Sequence, residues 1–115
     1  MAFSEFELKR YEKIVEKYVE QRRPAPHIRP QLDLGFRVKG QSVELFEIRE
    51  RWNEPGVKFE SPFAKATYVQ TQQIWKIFWQ RADLKWHRYD PTPEVNTIEE
   101  FIAVVEKDEC ACFRG

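Results

Sequence analysis

The sequence is poor in the residues from which covalent and metal frameworks are built. It has 115 residues, with two cysteines and two histidines among them. One residue separates Cys110 from Cys112, so this pair could close only a small, strained local ring. A disulfide framework of the kind that holds small secreted domains together is therefore excluded, and a cytoplasmic location is predicted.

The chain also has few glycines, no net charge and no long apolar run. The four glycines form no glycine-rich motif, which argues against a phosphate-binding loop. The 19 basic and 19 acidic residues give a formal net charge of zero, which argues against bulk nucleic-acid binding but allows a local basic patch. No apolar run approaches the length that spans a bilayer, so we expect no membrane partner. The first residues become polar and acidic at Ser4 and Glu5, so we expect no secretion signal.

Apolar and aromatic residues, in contrast, are plentiful. The chain is 42% hydrophobic and 15% aromatic, with 33% charged residues. This composition is typical of a globular domain and argues against disorder. A chain of this length buries roughly two-thirds of its unfolded surface, so it can fold without disulfides or metals. We predict a single domain over residues 1–115.

Amphipathic helices are predicted at both ends. Ser4 and Glu7 form a capping-box pattern, and Pro24 ends the first helix because proline cannot donate a helical hydrogen bond. Apolar side chains recur between them at helical spacing, at Leu8, Tyr11, Val15 and Tyr18. A second capping box at residues 97–100 opens a short helix. Its apolar face consists of Ile98, Phe101, Ile102 and Val105.

Between the helices the apolar pattern changes to alternation, which indicates strands. The predicted strands cover residues 32–38, 42–50, 64–70, 74–81 and 84–89. Residues 51–63 contain two prolines and a glycine and are predicted to form a loop. Short links between the strands imply an antiparallel meander. We therefore predict an α+β fold of order α-β-β-β-β-β-α, with about five strands and both terminal helices packed on one face.

The last two strands form the most informative predicted hairpin. A two-residue turn at residues 82–83 would place Trp79 opposite Trp86, and we predict that these rings are buried cross-strand neighbours. The opposite face would then carry Lys76, Phe78, Gln80, Lys85, His87 and Tyr89. We predict that this second face is exposed to solvent or holds a site.

One hypothesis is a site like that of metal-dependent nucleases, in which paired carboxylates hold a cation and a lysine steadies the attacking water. The candidate catalytic residues are Glu47, Arg49, Asp83, Lys85 and His87, with Asp33 on the preceding strand. The triplet at residues 47–49 carries arginine where such a site uses lysine, and acid-x-base triplets often arise by chance. The sequence contains no Ser-His-Asp order of a hydrolase.

A second hypothesis is a tetrahedral zinc site, which would need all the cysteines and histidines of the chain. These residues are Cys110, Cys112, His27 and His87. The two histidines are distant in sequence, and the alternative is that the cysteines pack as small apolar residues beside Phe113. We favour the alternative and expect neither a metal nor a cofactor.

A third hypothesis is binding through rings and cations. Basic residues outnumber acidic ones in residues 74–93, and aromatic rings alternate with them. The candidate binding residues are Lys76, Arg81, Lys85, His87 and Tyr89. Proteins that bind single-stranded nucleic acid combine a basic groove with stacking rings. The alternative is that the tryptophans belong to the core.

Four segments resemble a family of short bacterial proteins known as a domain of unknown function, DUF3024. They are residues 79–91 (WQRADLKWHRYDP), 112–115 (CFRG), 1–7 (MAFSEFE) and 61–65 (SPFAK). The family pattern leads us to expect a second phenylalanine at the position of Arg114. The resemblance covers the whole chain and implies a bacterial cytoplasmic protein. It implies no activity, cofactor or catalytic residue.

The sequence is compatible with two classes of function. The favoured one is a small non-enzymatic binding or interaction domain, with a protein or a single-stranded nucleic acid as partner. The alternative is an enzyme that acts on a nucleic acid or another phosphate ester. An enzyme needs its candidate groups to meet in one concave pocket, whereas a binding domain needs an exposed apolar or basic surface.

Overall fold

The computed structural model describes residues 3–51, 53–81 and 83–108. The helices are α1 (Glu5–Arg22) and α2 (Ile98–Lys107), and the strands are β1 (Leu32–Lys39), β2 (Ser42–Arg51), β3 (Glu54–Val69), β4 (Ile74–Gln80), β5 (Trp86–Arg88) and β6 (Glu94–Val95). The strands form one antiparallel sheet in the order β1-β2-β3-β4-β5. The two-residue β6 pairs with β4 on the same side as β5. The predicted α+β class, the meander and the element order are confirmed.

Capping side chains fix where both helices begin. The Ser4 hydroxyl accepts a hydrogen bond from the Glu7 amide at 3.2 Å, and the Glu7 carboxylate accepts one from the Ser4 amide at 3.1 Å. The Thr97 hydroxyl likewise accepts from the Glu100 amide at 3.1 Å. Helix α1 ends before Arg23, whose backbone is extended because proline disfavours helical geometry in the residue before it. In the described ranges, no helix combines the length and the apolar character that crossing a bilayer requires.

Both helices pack on one face of the sheet, which we call the helix face. Helix α1 contributes Tyr11, Val15, Tyr18 and Val19 to the core, and α2 contributes Ile98, Phe101 and Val105. The sheet contributes Leu34, Val43, Leu45, Ala64, Ala66, Trp75 and Ile77. We call the other side of the sheet the open face, because α1 and α2 both lie on the helix face.

The interpretation of residues 51–63 as a loop is wrong, because most of this segment belongs to β3. The first half of β3 lies along the second half of β2, with a register shift between Glu50 and Arg51. We call residues 48–51 and 54–60 the β2–β3 ribbon. Its prolines led us to predict a loop, yet Pro62 lies at a bulge, where the partner of Leu45 is Ala64 and the partner of Phe46 is Pro62. Prolines are tolerated at bulges and strand edges because no ladder hydrogen bond is lost there.

The predicted pairing of Trp79 with Trp86 is also wrong. Trp79 lies opposite His87, and Trp86 lies opposite Gln80. The Arg81 amide donates to the Lys85 carbonyl at 3.2 Å, so the turn is one residue longer than predicted. A shift of one residue moves every side chain of a strand to the other face. Trp86 therefore lies on the open face, and both tryptophans are only half-buried.

The same shift corrects the placement of Tyr89 and His87. Tyr89 is only 1% exposed and belongs to the core, so it does not lie on an exposed binding face. The backbone of Tyr89 continues the pairing of β5, since its amide donates to the Ile77 carbonyl at 3.0 Å. His87 lies on the side of the hairpin that faces away from Lys76 and Phe78.

Candidate functional site

A lysine and two aromatic rings meet at the centre of the open face. Lys65 lies opposite Phe78 across the β3–β4 pair, and Trp86 lies on the next strand. The Lys65 ammonium is 5.3 Å from the centre of the Phe78 ring and 4.8 Å from that of the Trp86 ring. Both distances are within the range of cation–π attraction. We call Lys65, Phe78 and Trp86 the ring–cation cluster.

The environment of Lys65 differs from that of an ordinary surface lysine. Partial burial lowers the pKa of Lys65, and the opposing Glu44 carboxylate counteracts this shift. Burial acts this way because removal from water disfavours the charged form. A cation that is already partly desolvated interacts more strongly with an incoming anion than a fully hydrated one does.

A second ring and cation lie beside the cluster, towards β1. The Arg37 guanidinium lies 4.8 Å from the centre of the Phe46 ring and forms an ion pair with Glu60. The Phe46 ring covers the backbone of Gly35, where an added Cβ would lie 2.8 Å from ring atom Cε1. A side chain at this position would displace the ring, so glycine is required for the ring to stay there. The open face thus carries rings and cations on β1 to β5.

The open face ends in a hollow at β6. This hollow has a volume of about 210 Å³ and is lined by Lys76, Phe78, Arg88, Pro93 and Glu94. Lys76 and Glu94 are directly opposite each other. Arg88 donates a hydrogen bond to Asp90 at 2.9 Å, in an ion pair that is mostly exposed to solvent. Two further cations, Lys76 and Arg88, therefore lie around the same hollow as the Phe78 ring.

The other side of the β4–β5 hairpin also combines rings with cations. A hollow of about 400 Å³ is lined by Trp79, Arg81, His87, Arg88 and Asp90. The Arg81 guanidinium lies 5.4 Å from the centre of a Trp79 ring. His87 Nε2 lies 2.9 Å from the Asp83 carboxylate, and hydrogen bonds from the Lys85 amide and His87 lower the pKa of Asp83. This arrangement fixes the turn.

The candidate catalytic residues lie in two separate groups. Arg49 donates to Glu47 at 2.7 Å on β2, whereas Asp83, Lys85 and His87 lie at the β4–β5 turn. Strands β3 and β4 lie between the two groups. Hydrogen bonds from the Lys85 amide and His87 lower the pKa of Asp83, which is the opposite of what a general acid needs.

Asp33, the remaining acidic candidate, is held in a structural ion pair. Arg23, at the end of α1, donates to its two carboxylate oxygens at 2.9 and 2.8 Å. The Leu34 amide donates a further bond at 2.8 Å. Asp33 and Glu47 both line a hollow of about 150 Å³, which is smaller than the pockets that usually hold small ligands. The ion pair fastens α1 to the edge of the sheet.

We expect the Arg23–Asp33 pair to contribute to stability in a pH-dependent way. The hydrogen bonds from Arg23 lower the pKa of Asp33 below its ordinary value of 3.8. Because the folded-state pKa is depressed, the contribution is present above that value and lost as the pH falls through the folded-state pKa. Urea titrations between about pH 6 and about pH 2 should therefore show a steeper loss of stability for the native protein than for Asp33→Asn. Parallel pH profiles would contradict this account.

The zinc hypothesis concerns residues that lie only partly within the described ranges. Cys110 and Cys112 lie outside them. His27 is exposed in the turn after α1, and His87 is bonded to Asp83. Among residues 3–51, 53–81 and 83–108, no group of three or more His, Cys, Asp or Glu side chains could hold a metal ion.

Of the candidate binding residues, Lys76 lies on the open face, and Arg81 and His87 line the hollow on the other side of the hairpin. Lys85 is exposed at the turn, and Tyr89 is buried. Sequence reasoning missed Lys65 and Trp86. A lysine between two alanines on a strand was a usable signal for Lys65, but its contact with both rings depends on the pairing of three strands.

Comparisons with known proteins give one match. Neither the search of curated proteins nor the search of solved structures found a match. The scan against protein-family models matched residues 3–115, which is essentially the whole chain, to a family described as Domain of unknown function (DUF3024). This is the family that the sequence resembles in four segments. The chain therefore belongs to the DUF3024 family.

Proposed function

We infer that this chain is a non-enzymatic, cofactor-free binding domain that takes single-stranded nucleic acid on the open face of its sheet. The observation that carries this proposal is the ring–cation cluster, Lys65, Phe78 and Trp86. It lies on the face of the sheet opposite both helices, which no helix of the described residues covers. Aromatic rings and cations on a sheet face are the combination that single-strand binding platforms use.

The rings supply the first half of the interaction. Phe78 and Trp86 are half-buried, so part of each ring is exposed to solvent. Every base has a flat π-face, and stacking of a base on an aromatic ring contributes roughly 1–3 kcal/mol. Adjacent strands are about 4.8 Å apart, so rings on β4 and β5 can contact neighbouring bases of one strand. Stacking of this kind tolerates any base sequence.

The cations supply the second half. Lys65, Lys76 and Arg88 surround the Phe78 ring, on β3, β4 and β5. Phosphates that follow the bases across the sheet would lie within reach of these side chains. The formal net charge of zero is compatible with such a patch, because affinity depends on the charge near the phosphates.

The enzymatic alternative receives less support from the geometry. Its two groups of candidates, on β2 and at the β4–β5 turn, are separated by two strands, and Glu47 and His87 line different hollows. We further propose that residues 1–115 act as one domain in the bacterial cytoplasm. One continuous core that includes both helices and the sheet supports the first point, and the low cysteine content supports the second.

The test is fluorescence anisotropy with a labelled single-stranded oligonucleotide of about 12 nucleotides, within the usual site size of such domains. We expect saturable binding by the native protein at low salt. We expect Trp86→Ala to weaken binding about tenfold, because one stacked base is lost. Circular dichroism should confirm that the variant is folded.

Trp79→Ala is the matched control, since Trp79 is a half-buried tryptophan on the other side of the same hairpin. This variant should keep nearly native affinity. Absence of binding by the native protein would refute the proposal. An equal loss in both variants would show that the open face is not the binding surface.

A further inference from the structure

The β2–β3 ribbon has an unpaired edge. Glu54 and residues 58–60 of β3 pair with β2 on one side, whereas β4 pairs with β3 only from Ala64 onward. No other described strand pairs with this edge. All seven residues from Glu54 to Glu60 are exposed, including Val57 at 42% and Phe59 at 38%. An exposed strand edge with apolar side chains is a template on which another strand can pair.

Two prolines limit the length of any added strand. Pro55 and Pro62 lie at the two ends of the segment and cannot donate hydrogen bonds to a ladder. An incoming strand can therefore pair only with the residues between them. Apolar and charged side chains alternate from Val57 to Glu60. Lys58 and Glu60 lie on one side of the strand, and Phe59 lies on the other. The two charges are opposite in sign.

Symmetry allows few registers for two copies of this edge. Two antiparallel copies of one strand are related by a twofold axis perpendicular to the sheet, and directly opposite residues point to the same side of the sheet. The axis must therefore pass between one residue and the same residue of the other copy. An axis at Lys58 or at Glu60 would place two like charges opposite each other, which is destabilising. An axis at Val57 would place Phe59 opposite Pro55. Only an axis at Phe59 avoids these conflicts within the segment.

The register at Phe59 is favourable in each pair. It places Lys58 opposite Glu60 of the other copy twice, once on each side of the axis, and Phe59 opposite its own equivalent. Opposite charges and aromatic pairs directly opposite each other stabilise antiparallel strands. Glu60 would keep its bond to Arg37 while it accepts the second cation. Arg51, whose guanidinium lies 5.4 Å from the centre of the Phe59 ring, would cover the aromatic pair.

We propose that two copies of this chain associate through the edge of the β2–β3 ribbon, in antiparallel register about Phe59. The two sheets then form one continuous sheet with the order β1-β2-β3 continued by β3-β2-β1 of the other copy. The paired segment is short, so the dimer is expected to be weak and to form as the protein concentration rises. This inference is independent of the proposed ligand, because it uses a different part of the sheet.

The test is sedimentation velocity over a concentration series from about 1 µM to about 1 mM, which covers weak interfaces. The native protein should change from monomer to dimer. Lys58→Glu and Glu60→Lys should each weaken self-association about tenfold or more, because each variant places two pairs of like charges across the axis. Lys13→Glu, on the exposed side of α1, is the matched control and should dimerise like the native protein.

An equimolar mixture of the Lys58→Glu and Glu60→Lys variants provides the decisive measurement. In the mixture every pair across the axis again joins opposite charges, so a dimer with one copy of each should form. A native protein that stays monomeric at the highest concentration overturns the proposal. So does a dimer that both single variants leave intact, or a mixture that associates no better than its components.

Discussion

Replacement of Trp75 by alanine is expected to destabilise the protein by about 3–5 kcal/mol, the usual cost of removing a large buried ring. Trp75 is 1% exposed, at the centre of the helix face. Its ring centre lies 5.1 Å from that of Tyr11 on α1 and 5.1 Å from that of Tyr68 on β3. The substitution removes contacts that join the first helix to the sheet, so it should affect the whole cooperative unit.

Trp86→Ala is the matched comparison, because it makes the same change on the open face. Trp86 is half-buried, and the Lys65 ammonium lies 4.8 Å from the centre of its ring. We expect a cost of about 1–2 kcal/mol from partial burial and the lost cation–π contact. Urea titrations of the two variants, with the slopes compared to that of the native protein, measure both values. Equal costs would mean that Trp86 belongs to a core, and would remove the basis for base stacking on it.

Removal of the three cations of the open face should have the largest effect on ligand binding. We expect the combined variant Lys65→Gln, Lys76→Gln and Arg88→Gln to bind single-stranded oligonucleotide about a hundredfold more weakly at low salt. Each phosphate contact on a single strand contributes about 0.7 to the slope of log affinity against log salt concentration. The slope should therefore become about two units shallower. Anisotropy titrations at four or more salt concentrations measure both quantities.

The control for charge is a variant that removes three lysines from the outer side of α1. Lys9, Lys13 and Lys17 are all exposed and lie away from the open face. Their replacement by glutamine changes the net charge of the protein by the same amount. At about 0.15 M salt it should leave the affinity within about twofold of native, because exposed charges more than a Debye length of about 8 Å away are then largely screened. An equal loss of affinity in both variants would mean that the oligonucleotide is held only by non-specific electrostatic attraction.

The parts of the fold that depend on local patterns could be predicted from the sequence. The capping box at Ser4, the N-cap at Thr97 and the apolar stripes that follow them fix both helices. The alternation of apolar and polar residues and the short links between the strands predict the meander. In each case the determining residues lie within a few positions of one another, so a single sequence contains the whole signal.

The β2–β3 ribbon and the pairing of β5 could not be predicted, since each depends on a partner strand. Pro62 indicates a loop until the bulge opposite Phe46 is known. A glycine in the left-handed position of a turn usually reveals the length of the turn. In the turn after Arg81 this position is held by Leu84, with φ of 63°, so the sequence does not show the length. The ring–cation cluster depends on both features, which is why Lys65 was missed and Trp86 was placed in the core.

The turn between Arg81 and Lys85 has a consequence for how this family can vary. Surface turns are normally where chains gain and lose residues without harm. Here three residues, 82–84, lie between the bonded positions Arg81 and Lys85. Because this number is odd, Trp86 lies on the open face and His87 on the other. Loss of one residue would exchange the two sides of β5 and bring Tyr89 out of the core. A change of length at this exposed turn should therefore be harder to accommodate than many substitutions in the interior.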